Sequence, residues 1–546
     1  MAARHRGRTT PFAQALITLI GLALLCLMLL GRRQEAEAGD GTAADSPSGT
    51  AGGSFAASGA GVATPAVTDD LRGRPDAALQ AAAEARIADA FALASKLSSG
   101  KAHAGNCTVT MCVRARGSLR ELVSIGAGRA LRPASNMKLA TTAAALALLG
   151  PGWSFSTDFE GSGPLEGGRP RGDLVVRAGG DPLWAPAGDG RAEPRLEALA
   201  RELHLAGLRV VEGDLVLDPR SFAPPAPGPG WPPASQHWDD YCALAAAFTV
   251  NGGVLTATVT PGAPGAAARV EVHPSPTGIP PRHDVRTEKG GPLDVRVGAT
   301  TAAVTVRGRV PADLGTWTTS FAHPDPVLLF ESVLVDALEG AGIELRGGVR
   351  VQRDAPGGLL LATLRSPLLD VLGPINTESV NPVADQLFLA TGLAVAGEAT
   401  RAGGRAATAE ALRRLGVGSE GLVQVDGSGL SRDNRLSARQ LVALQQAVLG
   451  LDAATVEAWL DSLAVGGSTG TLEKRMLDPA LLGRVRGKTG WIAGTSALAG
   501  VVTTPAGREY VFSILVDYPQ EVGGLNRDCW KPMQDDLLAL LVEAAP

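Results

Sequence analysis

The sequence predicts an α/β (α+β) protein whose two ends combine helices with strands and whose long middle is β-rich. Three observations predict this. After Pro133 an Ala/Leu-rich run places Leu139, Ala143, Leu146 and Leu149 at helical spacing and stops at Gly150-Pro151. From Trp153 to about Leu360, short Val/Leu/Thr-rich segments alternate with Gly/Pro turns. From Pro367 onward longer helical segments return, and two apolar segments, Ala497–Thr503 and Glu509–Val516, read as adjacent strands joined by Pro505-Ala506-Gly507.

The 546 residues, 45% of them hydrophobic, can bury more than one sizeable core. A net charge of −5 and the lack of a long basic run exclude nucleic acid as a partner.

Residues 1–33 carry Arg4, Arg6 and Arg8 ahead of an apolar run from Ala15 to Leu30, which predicts a signal peptide or membrane anchor. Arg32 and Arg33 favour an anchor; Ala36-Glu37-Ala38 offers a cleavage site. On either reading the remainder is exported, to the periplasm or cell envelope. Residues 34–75, rich in Ala, Gly, Ser, Thr and Asp, read as a disordered linker. Ala77–Leu97 is helical by composition, and Cys107–Val113 with Leu122–Ile125 forms a hairpin before the Ser135 helix. These elements make residues 76–152 the first part of one domain.

Residues 153–362 form one or more inserted β-rich domains, with a nested insert near 250–322. The strands expected there are Leu174–Arg177, Leu208–Leu217, Val254–Val259, Ala268–Val272, Leu293–Val297, Ala303–Val310 and Gly347–Gln352, with a helix near Pro326–Glu339. Residues 363–546 complete the first domain through helices at Pro382–Val395, Thr408–Leu415, Ala438–Leu449 and Met533–Glu543. Cys107, Cys112, Cys242 and Cys529 are spaced unlike a zinc site, and bridges or buried thiols both remain open.

Ser135 falls in the first turn of its helix, and Lys138 lies one turn along the same face, within reach of its hydroxyl. Serine needs a base to become a nucleophile, and a lysine kept neutral by burial can serve. A second Ser-x-x-Lys, Ser98 to Lys101, has no apolar helix behind it. Two further stretches complete a set, Ser379-Val380-Asn381 and Lys488-Thr489-Gly490, in the order in which such enzymes carry them. Only seven of the 50 basic residues are lysine, yet lysine stands at both motif positions, where arginine could not deprotonate. Ser135 and Ser379 are 244 residues apart (379 − 135), so a shared cleft requires the middle to be inserted.

At these residues the chain resembles the class C penicillin-binding proteins, the D-alanyl-D-alanine carboxypeptidase/endopeptidase family. The likeness extends from about residue 80 to the C-terminus. It includes Gly179-Gly180-Asp181-Pro182, Gly213–Asp218, Trp238-Asp239-Asp240, Asp426–Arg432 and Gly467–Leu472. It implies a penicillin-recognising, serine transpeptidase-like domain, an antiparallel sheet flanked by helices, with β-rich inserted domains. It also implies action on peptidoglycan stem peptides through an acyl-enzyme, inhibition by β-lactam antibiotics, and no cofactor or metal. By matching position, Ser135 would be the nucleophile, Lys138 its base, Ser379 a proton relay and Asn381 a holder of the substrate amide. Lys488 and Thr489, next to Gly490, would orient the terminal carboxylate. The N–H groups of Ser135 and Trp491 would form the oxyanion hole. Asp240 (or Asp239) and Arg432 would contact the stem peptide. Two departures stand out. Val380 replaces the common Asp and should point away from the cleft; Trp491 replaces a small hydroxyl residue and should alter how carboxylates and β-lactams are held.

Rival readings fare worse. None of the histidines (His5, His103, His204, His237, His273, His283, His323) follows residue 323; no Gly-x-Ser-x-Gly elbow stands in the right context for a Ser-His-Asp hydrolase, and no His-Glu-x-x-His is present to favour a metallohydrolase. The remaining alternative is a non-catalytic wall-binding protein that kept the fold, and the intact motifs argue against it.

Overall fold

The computed structural model describes residues 76–543 except 163–164, 168, 171 and 185–192; the signal or anchor segment (1–33) and the linker (34–75) lie outside the described residues. Among the described residues no helix is long and apolar enough to cross a membrane.

One six-stranded antiparallel sheet joins the two ends of the chain. Its order is Glu121–Ile125, Thr108–Ala115, Glu509–Asp517, Thr495–Thr503, Val485–Ile492, Ala464–Val465. Side chains alternate across its faces, and both faces are buried. Val511 and Leu515 point to one core with Ala497, Ala499 and Val501. Phe512, Ile514 and Val516 point to the other with Leu498 and Val502. The second core is closed by the helices Ala77–Leu97 and Lys531–Glu543 through Ile87, Ala90, Leu537 and Leu541. The first helix starts at Asp76, whose carboxylate accepts the N–H groups of Ala78 and Leu79.

The other core surrounds Met137–Leu149, in which every residue from Met137 to Leu146 is buried. The 3.6-residue spacing read from the sequence therefore marks a central helix, buried on all sides with Lys138, Thr141 and Thr142 as its polar members, rather than a half-exposed one. Around it pack Asn381–Ala396, Ala438–Val448 and Leu368–Asn376. Pro382 fits the first turn of Asn381–Ala396, and Gly397 (φ 73°) ends it. Val380 is half-buried and packs against this core.

The middle of the chain departs and returns through neighbouring strands. Ser154–Gly161 runs antiparallel to Leu359–Pro367, with Ser154 opposite Pro367. That pairing explains how over 200 residues intervene while Met137–Leu149 and Leu368–Asn376 share one core. These strands belong to a five-stranded sheet with Leu174–Arg177, Leu215–Asp218 and Val349–Val351. Helices Glu193–Leu205 and Pro326–Gly340 cover it through Leu196, Leu199, Leu203, Leu329, Leu334 and Leu338. Within this stretch lie two three-stranded sheets, one around Val254–Thr260 and one around Val304–Pro311. Cys107, Cys112, Cys242 and Cys529 are buried free thiols.

Candidate active site

The nucleophile candidate sits in a tight turn. Ala134 is left-handed (φ 45°), and residues Ala134–Asn136 form one 3-10 turn leading into Met137–Leu149. The turn leans on Gly429, also left-handed (φ 84°), where any Cβ would collide with the Ala134 carbonyl. Ser135 is half-buried, and Lys138 is fully buried. The lysine nitrogen donates to Ser135 Oγ at 3.1 Å, to Asn381 Oδ1 at 2.6 Å and to the Ser428 carbonyl at 2.7 Å. Burial pulls its pKa down to about 7, against the opposing pull of Asp385 and Asp426. Near neutrality this nitrogen can therefore be a free amine within reach of a serine proton.

The second motif joins two helices. Ser379 is half-buried and left-handed (φ 67°), an unusual conformation for serine, between Leu368–Asn376 and Asn381–Ala396. The turn is held by Val380 N–H on the Pro374 carbonyl (2.9 Å) and by Thr471 N–H on the Thr377 carbonyl (3.1 Å). The latter bond gives the Gly467–Leu472 segment its role: Gly470 must lack a Cβ because Thr377 fills that space. Asn381 uses both ends of its amide, Oδ1 toward Lys138 and Nδ2 to the Tyr241 carbonyl (3.0 Å).

The third motif lies on the strand Val485–Ile492. On one side it pairs with Thr495–Thr503 throughout; on the other, Ala464–Val465 reaches only Arg486 and Gly487. From Lys488 onward that edge has no strand partner among the described residues. A Cβ on Gly490 would stand 2.8 Å from the Pro133 carbonyl and 3.2 Å from Ser135 N, so glycine lets the strand touch the nucleophile turn. Lys488 is fully buried and donates to the Thr489 carbonyl at 3.0 Å; burial, reinforced by Lys138, holds its pKa well below the ordinary lysine value. Asn136 joins strand to turn: with its amide turned so that both ends are satisfied, it donates to the Lys488 carbonyl (2.8 Å) and accepts from Ala499 N–H (3.3 Å).

The remaining candidates lie outside the lysine network. Trp491 is 59% exposed at the end of the strand. Arg432 donates to the Ala493 carbonyl (2.9 Å), just beyond Trp491, rather than pairing with Asp426 or Asp433. Asp239 accepts from the Tyr241 hydroxyl (2.7 Å) and is thereby committed to its own loop. Asp240 is exposed; the surrounding chain still desolvates its carboxyl, and this, with the charge of Asp239, raises its pKa. The loop meets the lysine network through the Tyr241 carbonyl on Asn381.

Sequence reasoning missed Asn136, the Tyr241 and Ser428 carbonyls, and Asp385. Asp385 alone left a signal, the single charged residue of its helix, four residues after Asn381. Among the described residues no cluster of three or more His, Cys, Asp or Glu could hold a metal.

The sequence pattern of the D-Ala-D-Ala carboxypeptidase 3 (S13) family matches residues 93–534. A D-alanyl-D-alanine carboxypeptidase of an Actinomadura species is 36% identical over 418 residues, spanning 72% of this chain and 75% of that one. The D-alanyl-D-alanine carboxypeptidase DacB of Haemophilus influenzae is 28% identical over 404 residues, spanning 69% and 79%. In three dimensions the chain is similar to the crystal structure of penicillin binding protein 4 (dacB) from Haemophilus influenzae. The TM-score is 0.68 at 23% identity, covering 82% of this chain and 98% of that one.

Proposed function

This chain belongs to the D-Ala-D-Ala carboxypeptidase 3 (S13) family and is a serine-type D-alanyl-D-alanine carboxypeptidase, and we propose that it works through an acyl-enzyme on Ser135. The observation that carries the proposal is the 3.1 Å contact between Ser135 Oγ and a fully buried Lys138 whose pKa is pulled down to about 7.

In this reading the Lys138 amine takes the Ser135 proton as Oγ attacks the carbonyl of the penultimate D-alanine. The N–H groups of Ser135 and Trp491 receive the developing oxyanion. Ser379 passes a proton to the departing amine. Lys488 and Thr489 hold the terminal carboxylate, and the open edge from Lys488 to Trp491 lets the peptide lie alongside as an added strand. Asn381 Oδ1, already accepting from Lys138, keeps a second lone pair for the substrate amide N–H. Water then hydrolyses the ester. Residues 76–152 and 363–546 act as the catalytic domain, with 153–362 as its insert presenting Asp240 to the stem peptide.

The substrate in this reading is a peptidoglycan stem peptide, and β-lactam antibiotics acylate the same serine. A protein acting there works outside the cytoplasm, and the apolar run Ala15–Leu30 with its arginine flanks supports export, whether as cleaved signal or anchor. The test is release of D-alanine from a peptide ending in D-Ala-D-Ala. Release that prior benzylpenicillin abolishes supports the proposal; release insensitive to saturating benzylpenicillin argues for another chemistry.

A further inference from the structure

Behind the catalytic lysine lies a carboxyl that this mechanism does not use. Asp385 is one turn beyond Asn381 on the same helix, and the two residues converge on Lys138 by different routes. Asn381 accepts from the lysine directly. Asp385 Oδ1 accepts the N–H groups of Gly427 (2.8 Å) and Ser428 (2.9 Å), and the carbonyl of that same Ser428 accepts from Lys138 at 2.7 Å.

The two oxygens of Asp385 differ. Oδ2 is buried and has no donor in hydrogen-bonding geometry, although the Ser428 side chain lies close enough to the carboxyl to oppose the rise in its pKa. Neighbouring Asp426 has four donors, the N–H groups of Gly429 and Ser431, Asn434 Nδ2 and Trp231 Nε1. A buried carboxylate oxygen without a donor is costly, so Asp385 takes up a proton far more readily than a solvated aspartate. Burial and the charge of Asp426 push its pKa up while burial pulls that of Lys138 down, which brings the two toward each other. Interacting groups of this kind titrate as a pair. The other charges facing them are Lys488, which Lys138 influences from the strand side, Glu378 beyond Lys488, and Arg401, which lines the small cavity reaching Asp385.

We infer that Asp385 is a positioning residue for Lys138: it fixes the Ser428 carbonyl against the amine, and its ionised carboxylate favours the ammonium that Lys138 becomes when it takes the hydrogen of Ser135. The inference rests on Lys138 being the base. The step is a proton transfer coupled to bond formation: the hydroxyl hydrogen passes to the lysine nitrogen while Oγ bonds to the carbonyl carbon. In the reactive form Asp385 is already ionised and Lys138 a free amine, so the ammonium formed is offset by the Asp385 carboxylate and no second proton moves.

The test is the pH profile of the second-order rate of acylation by benzylpenicillin. Asp385→Asn removes the negative charge that favours the ammonium. Its acid limb should move down by about one pH unit, within the range for loss of a nearby opposite charge. Its plateau should fall roughly tenfold or more, because a weaker base transfers the proton less well. Asp385→Glu keeps the charge and should return the limb toward the wild-type position. An Asn variant whose limb stays at the wild-type pH, whatever its plateau, overturns the inference while leaving the Lys138 reading intact. Near-wild-type acylation by Lys138→Arg would instead remove that reading. If neither variant folds, infrared titration of the wild type decides: a buried carboxylic acid band should disappear between about pH 6 and 8, and the lack of any such band contradicts the inference.

Discussion

Lys138 and Asn381 stand 243 residues apart in sequence and meet at 2.6 Å, nitrogen to Oδ1. The contact joins the first and second motifs around one buried nitrogen, which also touches Ser135 and the Ser428 carbonyl. Arginine at this place would keep a charge but could not give up its proton. Lys138→Arg is therefore expected to fold and to lose acylation by benzylpenicillin by on the order of 10² or more, the size of a general-base contribution. A rate within a few-fold of wild type would mean that another group removes the serine proton.

The pH dependence follows from the direction of the lysine shift. Burial lowers the Lys138 pKa to about 7, so the nitrogen is protonated below that pH and free above it. Acylation should rise as pH rises through about 7 and fall about tenfold per unit below it. Stopped-flow rates from pH 5 to 9 check this; a profile flat across neutrality would contradict a lysine base.

Gly490 separates the contribution of placement from that of chemistry. A Cβ there would press on the Pro133 carbonyl and on Ser135 N. Gly490→Ala should push the nucleophile turn off the strand and lower acylation by on the order of 10², since about 1 Å of misplacement has that effect. Circular dichroism and melting should show a folded protein, because the strand keeps its pairing with Thr495–Thr503. Unchanged acylation would show that the turn does not depend on this contact.

Substrate selection should separate from acyl transfer at Asp240 and Arg432. Asp239 is occupied by the Tyr241 hydroxyl, which leaves Asp240 as the exposed carboxylate of the insert loop. A carboxylate and a guanidinium suit a stem residue bearing both an amine and a carboxylate, such as diaminopimelate. Asp240→Asn and Arg432→Ala should each lower turnover of such a peptide by roughly tenfold or more, from about 1.5–3 kcal/mol per charged hydrogen bond. Benzylpenicillin acylation should change far less. Equal losses for both would place these residues in the framework of the site, a role to which the Arg432–Ala493 contact also lends itself.

Much of this site was legible because its parts are local. The Ser135 turn, the Lys138 helix, the Ser379 turn and the Lys488 strand each reside in a few consecutive residues, and the structure brings Lys138 into contact with two of these segments. What escaped was carried by backbone or by distant pairing. The Tyr241 and Ser428 carbonyls have no side-chain signature. The strand Pro281–Glu288 escaped because only Val285 and Thr287 are buried, leaving little apolar alternation to read. Helix Glu193–Leu205 buries only Leu196, Leu199, Ala200 and Leu203 among charged neighbours. The pairing of Ser154–Gly161 with Leu359–Pro367 is set by twist and core packing, which a single sequence does not display.

The central claim is that Ser135 carries the acyl group. Mass spectrometry of proteolysed protein after benzylpenicillin treatment tests it most directly. The account predicts one penicilloyl adduct, on the peptide containing Ser135 and absent from Ser135→Ala. An adduct on any other residue, one that persists in Ser135→Ala, or none on folded wild-type protein would contradict it.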